Sequence, residues 1–207
     1  MPGRFVTFEG GEGSGKSTQL ARVAARLRAA GIEPVLTREP GGTPLAEGVR
    51  ALLLDGVDAL EPVVEAGLIE AARADLFARV IGPALAEDRF VLCDRHVDST
   101  LAYQGYGRGL DLELLRGWNA AATHGRVPDL TLLYDVDPEQ GIARRAAAGK
   151  PNRIDREAIA FHRRVREGFL TIARAEPNRI VVLDASTSLE AIEARSWELV
   201  QDWSGKR

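Results

Sequence analysis

Apolar positions along the chain fall into two kinds of run. The first kind is short and nearly unbroken: Arg4 to Glu9, Pro34 to Thr37, Phe90 to Cys93, Leu130 to Tyr134 and Arg179 to Leu183. Strand-length runs with little polar alternation predict β-strands covered on both faces, as in a parallel sheet. The second kind is longer and recurs at helical spacing. Leu20, Val23, Ala24 and Leu27 share one helix face, and Gly31 lies where that helix would stop. Helical patterns also run from Pro44 to Leu54, from Glu61 to Ala86, on either side of Gly105 to Gly109, and from Leu189 to Trp203. Strands alternating with helices predict an α/β fold with three layers, a five-stranded parallel sheet flanked by helices. There is no internal repeat, linker or low-complexity stretch. At 207 residues the expectation is one domain over 1–207.

The segment between the first strand and the first helix carries chemistry. Gly10-Gly11-Glu12-Gly13-Ser14-Gly15-Lys16-Ser17 satisfies G-x-x-x-x-G-K-[ST], with the required strand before it and helix after it. Glycines let successive backbone N–H groups turn inward onto phosphate oxygens. The helix that follows, through Ser17 and Thr18, adds unpaired N–H groups and its positive dipole end. Lys16 is placed for the β- and γ-phosphates and Ser17 for Mg²⁺. Triphosphate binding by a P-loop NTPase fold is the expectation. Asp94 closes the apolar run from Phe90 to Cys93. It has two readings, an acidic residue that positions Mg²⁺ or an anchor for its own loop.

Bulk properties narrow the field modestly. A net charge of −3 gives no general nucleic-acid or membrane signature. No apolar run is long enough to span a bilayer, and the N-terminus lacks a signal-peptide core, so a cytoplasmic location is expected. The single Cys93 excludes an intramolecular disulfide framework and a cysteine-ligated metal cluster. It lies inside an apolar run and reads as a buried strand residue. Of 27 basic residues 24 are arginine, which fits a coding bias for most of them. The three histidines, His96, His124 and His162, share no metal-ligand spacing; only His96 adjoins the Asp94-Arg95 pair.

The loop fixes phosphate binding and leaves the reaction open. The guanine-reading N-K-x-D element is absent, and so is a transporter-type signature, which leaves a small kinase. Four stretches then carry a resemblance over most of the chain: Phe8 to Gln19; Thr37-Arg38-Glu39-Pro40-Gly41-Gly42-Thr43; Asp94-Arg95 with Ser99-Thr100 and Ala102-Tyr103-Gln104-Gly105; and Pro128-Asp129-Leu130-Thr131 ahead of Asp135-Val136. In these the chain resembles the thymidylate kinase family, in its bacterial type with a lid arginine. The resemblance implies transfer of a phosphoryl group from ATP to dTMP with Mg²⁺, in a homodimer built from packed helices.

It also implies roles. Arg38, Arg50 and Arg95 hold the acceptor phosphate; Arg50, inside a helical pattern, alternatively lies on a solvated face. Arginine suits this task because its planar fork donates paired hydrogen bonds. Glu12, awkward in an anion-binding loop, is implied to meet the acceptor sugar near its 3′-hydroxyl. The other reading is a solvated side chain. Arg73 falls where the family bonds thymine, Tyr103 where it crowds the 2′ position, and Thr100 and Gln104 where it meets the base; Ser99 belongs to the same nucleotide-binding stretch. The family's stacking phenylalanine is replaced by Ile69, and Phe77 compensates only if it shares the Arg73 face. Because the Gly10 to Ser17 loop holds no arginine, charge for the transition state must come from elsewhere. Arg144 to Arg156, with Arg145, Lys150 and Arg153, resembles the family's lid, with Arg153 toward the transferring phosphoryl group and Arg144 or Arg145 beside adenine. An ordinary basic helix end is the alternative. Two other functions stay open at this point: a kinase for another deoxynucleotide or nucleoside, and a non-catalytic ATP-binding module.

Overall fold

The computed structural model describes residues 4–56, 59–149 and 151–205. Its sheet has five parallel strands, β1 (Arg4–Glu9), β2 (Val35–Arg38), β3 (Phe90–Asp94), β4 (Leu130–Asp135) and β5 (Ile180–Asp184), in the order β2-β3-β1-β4-β5. Each predicted strand is present, shifted at its ends by no more than one residue. The helices are α1 (Lys16–Ala29), α2 (Pro44–Ala51), α3 (Pro62–Leu76), α4 (Gly82–Ala86), α5 (Val97–Thr100), α6 (Leu112–Thr123), α7 (Pro138–Ala147), α8 (Ile159–Ala175) and α9 (Leu189–Gly205). The long helical pattern predicted over Glu61 to Ala86 is one path, with wider π-type turns at Phe77–Ile81 between α3 and α4. Similar wide turns follow α2 and α5, at Leu52–Gly56 and Leu101–Gly107. The break read near Gly105 to Gly109 is present, at 108–111, between the latter turn and α6. The pattern-based reading assigned no helix over α8, although Phe161, Val165, Phe169 and Ile172, all buried, carry helical spacing.

The central strands are mostly apolar because both faces of the sheet are covered there. On one face α1 and α9 bury Leu20, Val23, Leu27, Ile192 and Val200 against Val6, Phe8, Leu92 and Leu132. Beyond the other face, the turn after α5 and α8 form a second cluster around Leu101, Tyr103, Leu115 and Phe169, while α3 and its wide turn bury Leu76, Phe77 and Ile81 against Phe5, Val91 and Cys93. Cys93 is buried and free, as its apolar run predicts. Side-chain caps set several helix starts: Thr43 Oγ1 accepts from the Ala46 N–H at 3.1 Å, and Asp111 Oδ1 from the Leu114 N–H at 2.9 Å. Among the described residues, no helix is long and apolar enough to cross a membrane.

Register decides where chemistry collects. Phe8 and Arg38 both pair with Asp94, Glu9 pairs with Leu133, and Asp135 pairs with Asp184. The carboxyl ends of all five strands therefore share one edge, the edge at which parallel α/β sheets bind ligands.

Candidate active site

The loop after β1 is shaped by backbone conformations that suit glycine. Gly10, Gly13 and Gly15 have φ of 141°, 65° and 86°. A β-carbon on Gly13 would lie 1.9 Å from the Gly141 carbonyl oxygen of α7, so the loop is pressed against that helix. Lys16 is buried and its Nζ donates to the Gly11 carbonyl at 3.2 Å. Burial, then the nearby Arg95, lowers its pKa. Two cations held this close mark a place for an anion. Ser17 donates its hydroxyl hydrogen bond to the Asp94 carboxylate. A hydroxyl and a carboxylate converging at the head of α1 are hard oxygen donors of the kind Mg²⁺ takes, so these residues fit that ion.

Arg95 links this loop to a second cavity. Its backbone has a left-handed φ of 71°, uncommon for a residue with a side chain. Buried Glu9 pins the segment, accepting from the His96 N–H at 2.7 Å and from Ser99 Oγ at 2.6 Å. Burial, then Asp98, raises the Glu9 carboxyl to about 8. Held this way, Arg95 donates to the Gly10 carbonyl at 2.9 Å, to Ser99 Oγ at 3.2 Å and to Glu12 at 2.6 Å, with the Tyr103 ring 4.8 Å below its guanidinium. Tyr103 also donates to Glu12, at 2.8 Å. Burial acts to raise the Glu12 carboxyl, but Arg95, Lys16 and the Tyr103 hydroxyl outweigh it and hold it at about 2. Glu12 is thus an ionised, half-buried group aimed across the cavity, and the solvated alternative for it is excluded.

The cavity runs from Glu12, Arg95 and Ser99 past Arg50 to Ile69, Arg73, Thr100 and Gln104, and Arg153 lies along its wall. Arg50 is half-buried, its Nη1 donating to the Pro40 carbonyl at 2.9 Å; burial and then Arg38 depress its pKa, with Arg95 adding to the effect. The solvated-face alternative for Arg50 is therefore not what the structure has. Arg38 lies at the exposed edge, paired with Glu47 at 2.7 Å. Arg50 and Arg95 line one end of the cavity, whereas Arg38, expected beside them, is held by Glu47 outside the lining.

Several placements differ from simple expectation. Arg73 is fully buried and its donors are committed: Nε and Nη2 to Glu39, Nη2 also to the His96 carbonyl, and Nη1 to Glu70, Thr100 and Asn119. It forms part of the cavity floor through the groups it holds. Phe77 does not compensate for Ile69: it packs in the cluster around Phe5 and Ile81 and against His124. Arg153 is clasped by Glu65 at 2.6 Å and by the Leu53 carbonyl at 2.8 Å. Arg144 donates to the Ala185 carbonyl at 2.8 Å, at the end of β5, and Arg145 pairs with Asp155 at 3.2 Å. Lys150 of the predicted lid lies outside the described residues. His162 is buried beside Phe161. Composition gave no hint of Glu39 or Glu65, whose burial depends on arginines distant in sequence.

Comparison with known proteins decides the family. The thymidylate kinase family model matches residues 8–195. The chain belongs to the thymidylate kinase family. It is 52% identical to a thymidylate kinase of Deinococcus radiodurans, with 97% of each chain covered. It is 50% identical to one from Geobacter sulfurreducens, covering 91% of this chain and 92% of that one. Among solved structures, thymidylate kinase from Ehrlichia chaffeensis superposes with a TM-score of 0.79 at 36% identity, over 97% of this chain and 99% of that one. Membership accounts for why a P-loop and a second, arginine-rimmed cavity occur side by side. The observed sheet order and parallel strands are those of a P-loop NTPase fold.

Proposed function

We propose that this chain phosphorylates dTMP to dTDP with ATP, and that one observation carries the reading. Arg95 touches the phosphate loop at Gly10 and lines the acceptor cavity at the same time. A single cation is thereby shared between two anions that repel each other. Lys16, Arg38, Arg50 and Arg95 neutralise the acceptor phosphate and the γ-phosphate. An acceptor phosphate oxygen then attacks the γ-phosphorus as its bond to the β–γ bridging oxygen breaks, and ADP leaves with that oxygen. The attacking oxygen is already anionic, so no strong base is required. Positioning and charge neutralisation supply the rate.

Ser17 and Asp94 are the residues that would hold Mg²⁺, which supplies charge neutralisation at the phosphates. Gly10 to Thr18 cradle the ATP phosphates, and Arg144 flanks the adenine. Glu12 orients the acceptor sugar, and Tyr103, braced by Glu12, crowds the 2′ position. Thr100, Gln104 and Arg73 form the base end, with Arg73 acting through Thr100 and Ile69 supplying apolar contact without a π-face. Arg153 reaches the transferring group once it leaves Glu65. Val63 and Val64 of α3 are about half exposed, which supports a helix-packed homodimer; the enzyme works in the cytoplasm.

A coupled assay of ADP release across nucleoside monophosphates tests the reading. Turnover fastest with dTMP is expected. Hydrolysis of ATP with no phosphoryl acceptor among them refutes it. Light scattering of the purified chain tests the dimer, with a monomer mass refuting that part.

A further inference from the structure

Gln104 and Arg153 come from different parts of the chain, the turn after α5 and the loop before α8. Both end on one buried carboxylate. Glu65, on α3, accepts from Gln104 Nε2 at 2.8 Å through Oε1 and from Arg153 Nη2 at 2.6 Å through Oε2. Arg108 adds a second guanidinium at 3.3 Å. Burial acts to raise the Glu65 carboxyl, but its bonds to Gln104, Arg153 and Arg108 prevail and lower it. An ionised carboxylate has no proton to give, so it accepts only. That fixes the Gln104 amide with its NH₂ toward Glu65 and its oxygen turned away. Among the described residues Oε1 of Gln104 has no hydrogen-bond partner, and it is absent from the sealed, unpaired polar atoms. Gln104 lines the acceptor cavity. One helical turn earlier, Thr100 accepts from Arg73 at 2.9 Å, which leaves the Thr100 proton free to donate. The cavity floor therefore offers one donor and one acceptor side by side.

We propose that Glu65 is a positioning residue that locks the Gln104 amide as an acceptor, so that the cavity takes pyrimidines carrying N3–H, and that the same carboxylate docks the lid arginine. This rests on the acceptor-site reading above. A thymine or uracil presents N3–H to the Gln104 oxygen and a carbonyl to Thr100. A cytosine presents a bare N3, an acceptor facing an acceptor, and a polar group left unpaired in a buried site is rejected strongly. In a Glu65→Gln variant the new neutral amide would turn its oxygen to Arg108 and Arg153 and its NH₂ to Gln104. The Gln104 amide would then flip and offer NH₂ to the cavity.

The test compares kcat/KM for dTMP and dCMP in the wild-type protein, Glu65→Gln and Gln104→Leu. The ratio is independent of how much of each variant folds. In Glu65→Gln the dTMP-to-dCMP ratio should fall by about 100-fold, with KM for dTMP rising and dCMP turnover increasing in absolute terms. Gln104→Leu should lower dTMP turnover without raising that of dCMP. An unchanged ratio in Glu65→Gln overturns the proposal, whatever happens to total activity. Trypsin cleavage within 144–156 in the nucleotide-free protein should quicken several-fold in Glu65→Gln and not in Gln104→Leu. Equal cleavage overturns the lid part. Failure of the wild-type protein to phosphorylate dTMP would instead refute the function itself.

Discussion

The two halves of the site are made in different ways. The donor half is one contiguous stretch, Gly10 to Thr18, and its work falls mainly to backbone N–H groups, glycine conformations and one lysine. The acceptor half is assembled from β2, α2, α3, the end of β3 and the turn after α5, and nearly every group in it is a side chain held by another side chain. Arg73 is held by Glu39 and Glu70, Glu39 also pairs with His96, Arg95 is steadied by Glu12, and Glu65 collects three donors. A backbone cradle suits a phosphate chain common to many enzymes. Discrimination among bases needs side chains fixed in one orientation, and a buried charged network fixes them at the cost of desolvation.

Substitutions can break that contrast. The largest loss should come on the donor side. Lys16→Ala should lower kcat by about 1,000-fold, because one preorganised cation at the transferring charge is removed. The coupled assay with dTMP measures it, and Tm should barely move. On the acceptor side the largest effect should be on stability. Arg73→Met leaves Glu39 and Glu70 buried without their partner and should cost about 3–5 kcal/mol in urea unfolding. A loss near zero would mean Arg73 is not the structural centre of that network. Arg50→Ala should raise KM for dTMP about tenfold, with KM for ATP unchanged, since one half-buried phosphate contact is lost. Equal effects on both substrates would erase the proposed division.

The smallest expected effect concerns pH. Glu9 titrates at about 8 in the folded chain against an ordinary 4.5. Between those values the folded state keeps a proton that the unfolded state has lost, so stability falls as pH rises through that window. Glu9→Gln removes the dependence. Its Tm advantage over the wild-type protein should grow by about 3 °C from pH 5 to pH 6. A constant difference would show that Glu9 is ionised in the folded state.

The sheet was legible because five apolar runs buried on both faces leave a pattern that local reading detects. The loop from Gly10 to Ser17 was legible for a similar reason, since its function is written in consecutive residues. Helix α8 was missed, because its charged neighbours obscured the helical spacing of Phe161, Val165, Phe169 and Ile172. The acceptor half behaved differently. Arg73 stood out by position, yet nothing showed that Glu39, Glu70, Thr100 and Asn119, spread along the sequence from 39 to 119, would accept its hydrogen bonds. Nothing local distinguishes Glu65 from a solvated helix glutamate, because its burial comes from Gln104, Arg108 and Arg153 folding onto it. By itself the sequence determined the layered α/β architecture, the phosphate loop and the family. Only the tertiary structure decided which charges face a ligand and which face each other, because that depends on distances between segments that the order of residues along the chain does not contain.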